Sequence, residues 1–228
     1  MAIADSVLEN SELEVIGRLV DASNASLLCQ LSDGSKAIYK PIAGERPLWD
    51  FPDGNLASRE VAAYYISEVG KFNLVPKTIL REGPFGLGAV QQWIEIAEEL
   101  DVVEFAQGKN PELRKMALFD VLVNNSDRKF GHILPSSSET IYGCDHGVTF
   151  HIENKLRTVI WQFAGSELTA AEILQIENLL TNLDENYLQN LLTDQEISAL
   201  KDRGQELLRS KSFPLPNPNW PAIPWPPY

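Results

Sequence analysis

NNSDRKFGHIL, residues 124–134, is the stretch on which the reading of this chain turns. It follows an apolar helical run, PELRKMALFDVLV (111–123), and puts an Asp-Arg pair at the end of that run, with His132 five residues after Asp127. Eighteen residues beyond Asp127 comes Asp145, in YGCDHGVTF, at the end of a short strand-like segment and before His146-Gly147. A loop aspartate, a ligand-type residue five positions on and a strand-end aspartate before a glycine form an arrangement suited to phosphoryl transfer. The first carboxylate accepts a proton from the attacking hydroxyl or orients it, and the other two groups hold a divalent metal against phosphate oxygens. That chemistry consists mainly of positioning and charge neutralisation, so hard oxygen donors and Mg²⁺ are what it requires.

Upstream segments supply matching parts. ELEVIGRLV, SLLCQL and SKAIYK read as strands, with Asp33-Gly34 as the hairpin turn between the second and third. Lys40 ends the third strand, where an ammonium reaches α/β-phosphates. LASREVAAYYISEVG (56–70) reads as a helix stopped by Gly70, and Glu60 on it is able to pair with Lys40 and fix its direction. VPKTILRE and LGAVQQWIE, joined by GPFG, give two more strands. Past Glu95 the pattern turns helical. Asn110-Pro111 starts one helix, and Thr169-x-x-Glu172 and Thr193-x-x-Glu196 fit capping boxes opening two others. HILP and TIYGCD lie between as short strands. The last sixteen residues hold half of the chain's 14 prolines and read as an extended tail lying back on the domain. The expected organisation is a β-rich N-lobe with one helix (1–95), a helical C-lobe (96–212) and a Pro/Trp-rich tail (213–228). The fold class is α+β, two-lobed.

AIYKP, SREVAAYY, NNSDRKFGHIL and YGCDHGVTF, in that order, resemble the motifs of phosphatidylinositol 3-/4-kinase-like proteins, a branch of the protein-kinase-like fold, with the type II phosphatidylinositol 4-kinases nearest. A closer resemblance is to a family of small bacterial proteins, the SCO1664 family, which carries GERPLWDFPDG, the Asp-Arg loop and DHGV. Together these cover about residues 12–165. The resemblance implies ATP as phosphate donor, Mg²⁺ or Mn²⁺ as cofactor and a hydroxyl-bearing acceptor of unidentified class. It makes Lys40 the phosphate-contacting lysine and Glu60 its partner. Asp127 becomes the catalytic-loop aspartate, with Arg128 beside it counted among the catalytic residues as well, His132 the catalytic-loop metal position and Asp145 the chief metal ligand. Gln91, Gln92, Trp93 and Ile94 fall where a hinge meets adenine.

Two departures bear on activity. His132 stands where Asn is usual, and an imidazole prefers softer ions than Mg²⁺, which points to Mn²⁺. No Gly-x-Gly loop is present either. The first hairpin carries Asp21 to Ser26 instead, with Ser23, Asn24 and Ser26 as candidate phosphate contacts. Both keep open a nucleotide-binding pseudokinase with a scaffold role. His146 and His151, taken with His132 and Asp145, keep open a metal-dependent phosphohydrolase. Lys155 and Arg157 are either surface charges or contacts to substrate phosphate. WDFPDG (49–54) is either a loop packed on the lobe or a flap over the nucleotide.

Composition sets the outer limits. A net charge of −13 argues against nucleic acid as a partner and gives no general attraction to an anionic membrane. No 18-residue apolar run suggests a membrane span, the first residues lack the basic and apolar regions of a signal peptide, and Cys29 and Cys144 make no disulfide framework. The expected location is cytoplasmic. Oligomeric state is not legible.

Overall fold

The computed structural model describes residues 5–19, 24–97, 99–137 and 139–228. Five antiparallel strands form the N-lobe sheet: β1 (Glu14–Arg18), β2 (Leu27–Gln30), β3 (Lys36–Pro41), β4 (Thr78–Gly83) and β5 (Gly86–Gln92), in the order β1-β2-β3-β5-β4. The β2–β3 turn falls at Asp33-Gly34 as the sequence indicates. Gly34 has φ +84°, and the Asp33 carboxylate accepts from the Ser35 amide at 2.9 Å.

Alternation along β3 does the essential positioning. Ala37 and Tyr39 are fully buried on one face, packed with Cys29, Val90, Leu8 and Leu13. Lys36, Ile38 and Lys40 therefore share the other face. Leu8 comes from α1 (Asp5–Asn10), a short helix that the sequence reading did not anticipate. It is too short to stand on helix propensity and has no basic residue in its last turn, so the burial of Leu8 carries it.

Helix α2 (Leu56–Val69) crosses behind the sheet. Its first amides are all engaged: Ser58 N–H donates to the Asn55 side chain, and Leu56 and Ala57 N–H donate to the two oxygens of Glu45 at 2.9 and 2.8 Å. Ile66, Ala62 and Ala63 on its lower face join one continuous core with the C-lobe, including Phe72, Met116, Phe119, Phe150 and Leu200. The C-lobe elements are α3 (Val102–Gln107), α4 (Pro111–Val123), the hairpin β6 (Ile133–Pro135) and β7 (Ile141–Gly143), then α5 (Ala170–Asn182), α6 (Glu185–Leu188) and α7 (Asp194–Ser210). Both expected capping boxes are formed, at Thr169/Glu172 and Thr193/Glu196.

Glu196 does more than cap α7. Its other oxygen accepts from Arg59 of α2 at 2.6 Å, and both side chains are buried. This pair locks α2, and with it Glu60, to the C-lobe. Glu196→Ala is expected to cost about 3 kcal/mol, because it strands a buried guanidinium and removes a cap; urea unfolding measures it, and a loss under about 1 kcal/mol would show that Arg59 finds another partner.

The tail lies against the C-lobe, and its aromatics divide. Trp220 packs, with its Nε1–H donating to Lys155 O at 3.0 Å, whereas Trp225 and Tyr228 are exposed. Of Trp220, Trp225 and Tyr228, the large aromatics expected to lie back on the domain, Trp220 does so and the other two do not, while Phe213 at the start of the tail is buried in the C-lobe core. No helix among the described residues is long and apolar enough to cross a membrane.

Candidate active site

At the end of α4 the chain turns sharply on Asn124, which adopts the left-handed conformation (φ 51°) as C-cap. Its side-chain amide donates to the carbonyls of His151 and Glu153 at 2.8 and 2.6 Å, and Asn125 Oδ1 accepts the Asp127 N–H at 3.0 Å. The two asparagines thus set the loop that presents Asp127.

Adjacent residues then point opposite ways. Asp127 is half-buried on the cleft wall, whereas Arg128 is fully buried. The guanidinium donates to both oxygens of Asp120 at 2.9 and 3.0 Å, and to the carbonyls of His132 and Cys144 at 3.0 and 3.2 Å. It also donates to His146 Nε2 at 2.7 Å. A guanidinium has no lone pair, so His146 accepts there and carries its proton on Nδ1. Burial, then the Arg128 charge, holds the His146 imidazolium well below its usual range. Gly143 leaves room for this group, since a Cβ there would come within 3.1 Å of both terminal guanidinium nitrogens. Arg128 is therefore not in the cleft, contrary to its assignment among the catalytic residues. A charge that finds a carboxylate and several acceptors inside is held there. Its partner Asp120, a lone carboxylate in the apolar run MALFDVLV, is the sequence signal that was passed over.

The donors meet across the cleft. His132 Nδ1–H donates to the Asp127 carbonyl at 2.9 Å, which leaves the Nε2 lone pair facing Asp145 Oδ2 at 3.3 Å. Burial lowers the imidazole's pKa, so the ring is neutral near pH 7. Two lone pairs facing each other at that distance repel unless a cation lies between them, and this donor set fits a divalent ion on chemical grounds. Donor atoms of Asp127, His132 and Asp145 all lie within 4.8 Å of one another, the one such group among the described residues.

From the other lobe, Lys40 Nζ donates to Asp145 Oδ1 at 2.9 Å and to Glu60, while the second oxygen of Glu60 accepts the His146 amide at 3.0 Å. Glu60 thereby bridges the lysine and the Asp145 loop. Burial alone would depress the ammonium, but Asp145 and Glu60 outweigh it and raise its pKa. Asp145 itself is held well below the usual carboxylate range by Lys40, against the opposing effect of burial. Burial pushes Asp127 the other way, upward, with Lys129 and His132 opposing. The two carboxylates thus sit in environments that separate their roles.

The remaining candidates fall variously. Asn24 and Ser26 line the same cavity of about 540 Å³ as Lys40, Asp127 and Asp145, and Ser23 lies outside the described residues. Asn24 Oδ1 is already occupied by the Arg46 amide at 2.8 Å. The hinge residues do not join this cavity. Gln91 is buried with its Nε2–H donating to Thr78 at 2.8 Å, and the Gln92 and Trp93 amides donate to Lys77 and Lys36 carbonyls. Gln92, Trp93 and Ile94 line a separate cavity of about 570 Å³. The sheet continues to Gln92 and uses the donors that the reading reserved for adenine. His151 stands apart, edge-on to Phe51.

Proton competition gives a testable profile. A divalent ion taken up here would have to displace a proton from His132, whose pKa burial lowers from its ordinary value of 6.5. Mn²⁺ affinity is expected to stay flat from pH 8 down to about 6.5 and to fall only below that, as His132 protonates. Calorimetric titration across this range measures it, and a decline already under way between pH 8 and 7 would contradict a depressed imidazole.

No family model matches the chain. A Mycobacterium tuberculosis (strain ATCC 25618 / H37Rv) protein named Protein Rv2133c is 39% identical over an alignment 262 positions long, covering 97% of this chain and 94% of that one. The chain belongs to the Rv2133c family. Among solved structures, the Golgi casein kinase superposes on this Rv2133c-family chain with a TM-score of 0.55 at 12% identity, covering 89% of this chain and 72% of that one. The Helicobacter pylori proinflammatory kinase CtkA gives 0.51 at 12%, covering 90% and 94%. The Golgi casein kinase with Mn/ADP bound gives 0.52 at 12%, covering 89% and 73%. At such identity the likeness establishes the fold: this member of the Rv2133c family has a two-lobed, protein-kinase-like α+β fold. These likenesses carry that fold and not the phosphatidylinositol 3-/4-kinase branch.

Proposed function

We propose that the chain is an ATP-dependent phosphotransferase of the phosphatidylinositol 3-/4-kinase-like class, transferring the γ-phosphate to a hydroxyl acceptor. The observation that carries this reading is the meeting, in one cavity, of the Lys40–Glu60 pair from the N-lobe with Asp127, His132 and Asp145 from the C-lobe. Lys40, its direction fixed by two carboxylates, is the donor for phosphate oxygens. Asp127 is the acceptor or orienter of the attacking hydroxyl's proton, and its raised pKa suits that role. Asp145 and His132 are the groups that hold a divalent ion, Mn²⁺ in preference to Mg²⁺ because of the imidazole. When bound, that ion supplies charge neutralisation on the phosphates. Structural likeness to a kinase with Mn/ADP bound supports the same assignment.

A second reading, a nucleotide-binding pseudokinase, is favoured by the first hairpin, which carries no Gly-x-Gly loop and where Ser26 is buried. The phosphohydrolase reading loses support, since His146 is buried against Arg128 and His151 against Phe51, away from the donor group. The test is Mn²⁺-dependent consumption of γ-labelled ATP by the full chain. Consumption that exceeds the Mg²⁺ rate and vanishes in Asp145→Asn is the expected result. Tight Mn–nucleotide binding without any consumption selects the pseudokinase instead.

A further inference from the structure

The cavity that holds the donor group is also lined by Arg46, Lys129, Arg157 and Trp225. Its carboxylates all have partners: Glu45 takes the α2 amides, Asp50 takes Lys155, Glu60 and Asp145 take Lys40, and Asp127 takes Lys129. Arg157 is different. The backbone of Arg157 is strapped to the Asp127 loop, its N–H donating to Asn125 O at 3.0 Å while its carbonyl accepts the Arg128 N–H at 3.1 Å. Nε–H donates to Ser126 O at 2.6 Å, and the guanidinium lies 5.5 Å from the Trp220 ring centroid. The guanidinium plane is thus fixed beside Asp127, while its terminal nitrogens have no protein partner among the described residues. In a chain of net charge −13, a held guanidinium with free paired donors is a recognition element for a carboxylate or phosphate.

Trp225 supplies the second element. The tail is pinned on both sides of it: Ala222 O accepts from Thr158 N–H at 3.0 Å and from Trp161 Nε1–H at 2.7 Å, and Pro227 O accepts from Phe130 N–H at 2.9 Å. Between these anchors the indole itself is 89% exposed and borders the cavity. A ring carried on a pinned backbone yet left uncovered contributes little to folding and offers its face to a ligand ring.

We propose that Arg157 and Trp225 form the acceptor subsite of the phosphotransferase read above, and that the acceptor is a hydroxyl-bearing ring carrying a phosphate or carboxylate, the chemistry of an anionic sugar. Arg157 takes the anion, Trp225 stacks on the ring, and the hydroxyl is left toward Asp127. The same chemistry occurs on a free sugar phosphate and on an inositol-phosphate lipid headgroup.

The test uses the full chain with Mn²⁺ and a non-hydrolysable ATP analogue, titrated with glucose 6-phosphate, glucuronate and glucose, and with vesicles containing phosphatidylinositol 4-phosphate. Tryptophan fluorescence is the readout. At least one anionic probe is expected to bind at least about tenfold tighter than glucose, with the difference lost in Arg157→Gln and the fluorescence change lost in Trp225→Ala. Trp225 has no packing to lose, so its variant keeps the proposal testable if Arg157→Gln does not fold. Binding of the vesicles alone assigns the anion to a lipid headgroup, and binding of the free sugars assigns it to a small molecule. Glucose binding as tightly as the anions, no probe binding at all, or variants that bind like wild type overturn the subsite. Failure of the nucleotide analogue to bind overturns the phosphotransferase reading instead, and anion binding to the nucleotide-free chain remains a separate measurement.

Discussion

Asp127→Asn is expected to lower phosphoryl transfer by about 10²–10⁴-fold, the usual range for removing a positioned acid–base group. Asparagine keeps the size of the side chain but cannot accept the hydroxyl's proton, and the loop geometry is retained because the Asp127 backbone makes the contacts: its N–H donates to Asn125 and its carbonyl accepts from His132. Lys40, Glu60 and Asp145 remain in place, so the stabilisation of the variant by Mn²⁺ and an ATP analogue should persist in large part. Single-turnover kinetics beside a thermal-shift titration separates the two effects. A variant that transfers phosphate within threefold of wild type would place the proton acceptor elsewhere.

Arg128→Met is expected to cost about 3–5 kcal/mol of folding stability, because it leaves Asp120 charged and unpaired in the core. The His132 and Cys144 carbonyls and His146 Nε2 lose their donor at the same time. The double variant Asp120→Leu/Arg128→Met removes both charges and should recover a large part of the loss, since an apolar pair of similar volume often replaces a buried ion pair at little cost. Urea unfolding of the two variants decides it. A single variant within about 1 kcal/mol of wild type would mean that the buried pair organises the loop without contributing to its stability.

What the sequence revealed follows from how local each rule is. Asn110 at the start of α4, the Asp33-Gly34 turn and the two capping boxes are decided by residues within a few positions of one another, and all were legible. The donor group was legible because Asp127 and His132 share one short loop and Asp145 lies two residues past β7, whose partner β6 begins right after His132, so local geometry brings them close. Arg128 was not, because which of two neighbouring side chains turns inward depends on Asp120, one helical stretch away and buried by tertiary packing. Gln91 was misassigned for a similar reason: the Thr78 hydroxyl across the sheet claims its amide. The tail's aromatics look alike in sequence, and only the anchors at Trp161, Thr158 and Phe130 separate the packed Trp220 from the exposed Trp225. In WDFPDG, Phe51 packs under Arg59 and against His151, as the packed-loop reading has it, while Asp50 borders the cleft and holds Lys155.

Electron spin echo spectroscopy of the chain with one equivalent of Mn²⁺ and a non-hydrolysable ATP analogue shows whether His132 and the nucleotide phosphates share one ion. The expected spectrum shows ³¹P couplings from the nucleotide together with a ¹⁴N coupling from the His132 imidazole, the latter vanishing in His132→Gln. A Mn²⁺ signal with neither coupling, or a nitrogen coupling untouched by that substitution, would contradict it.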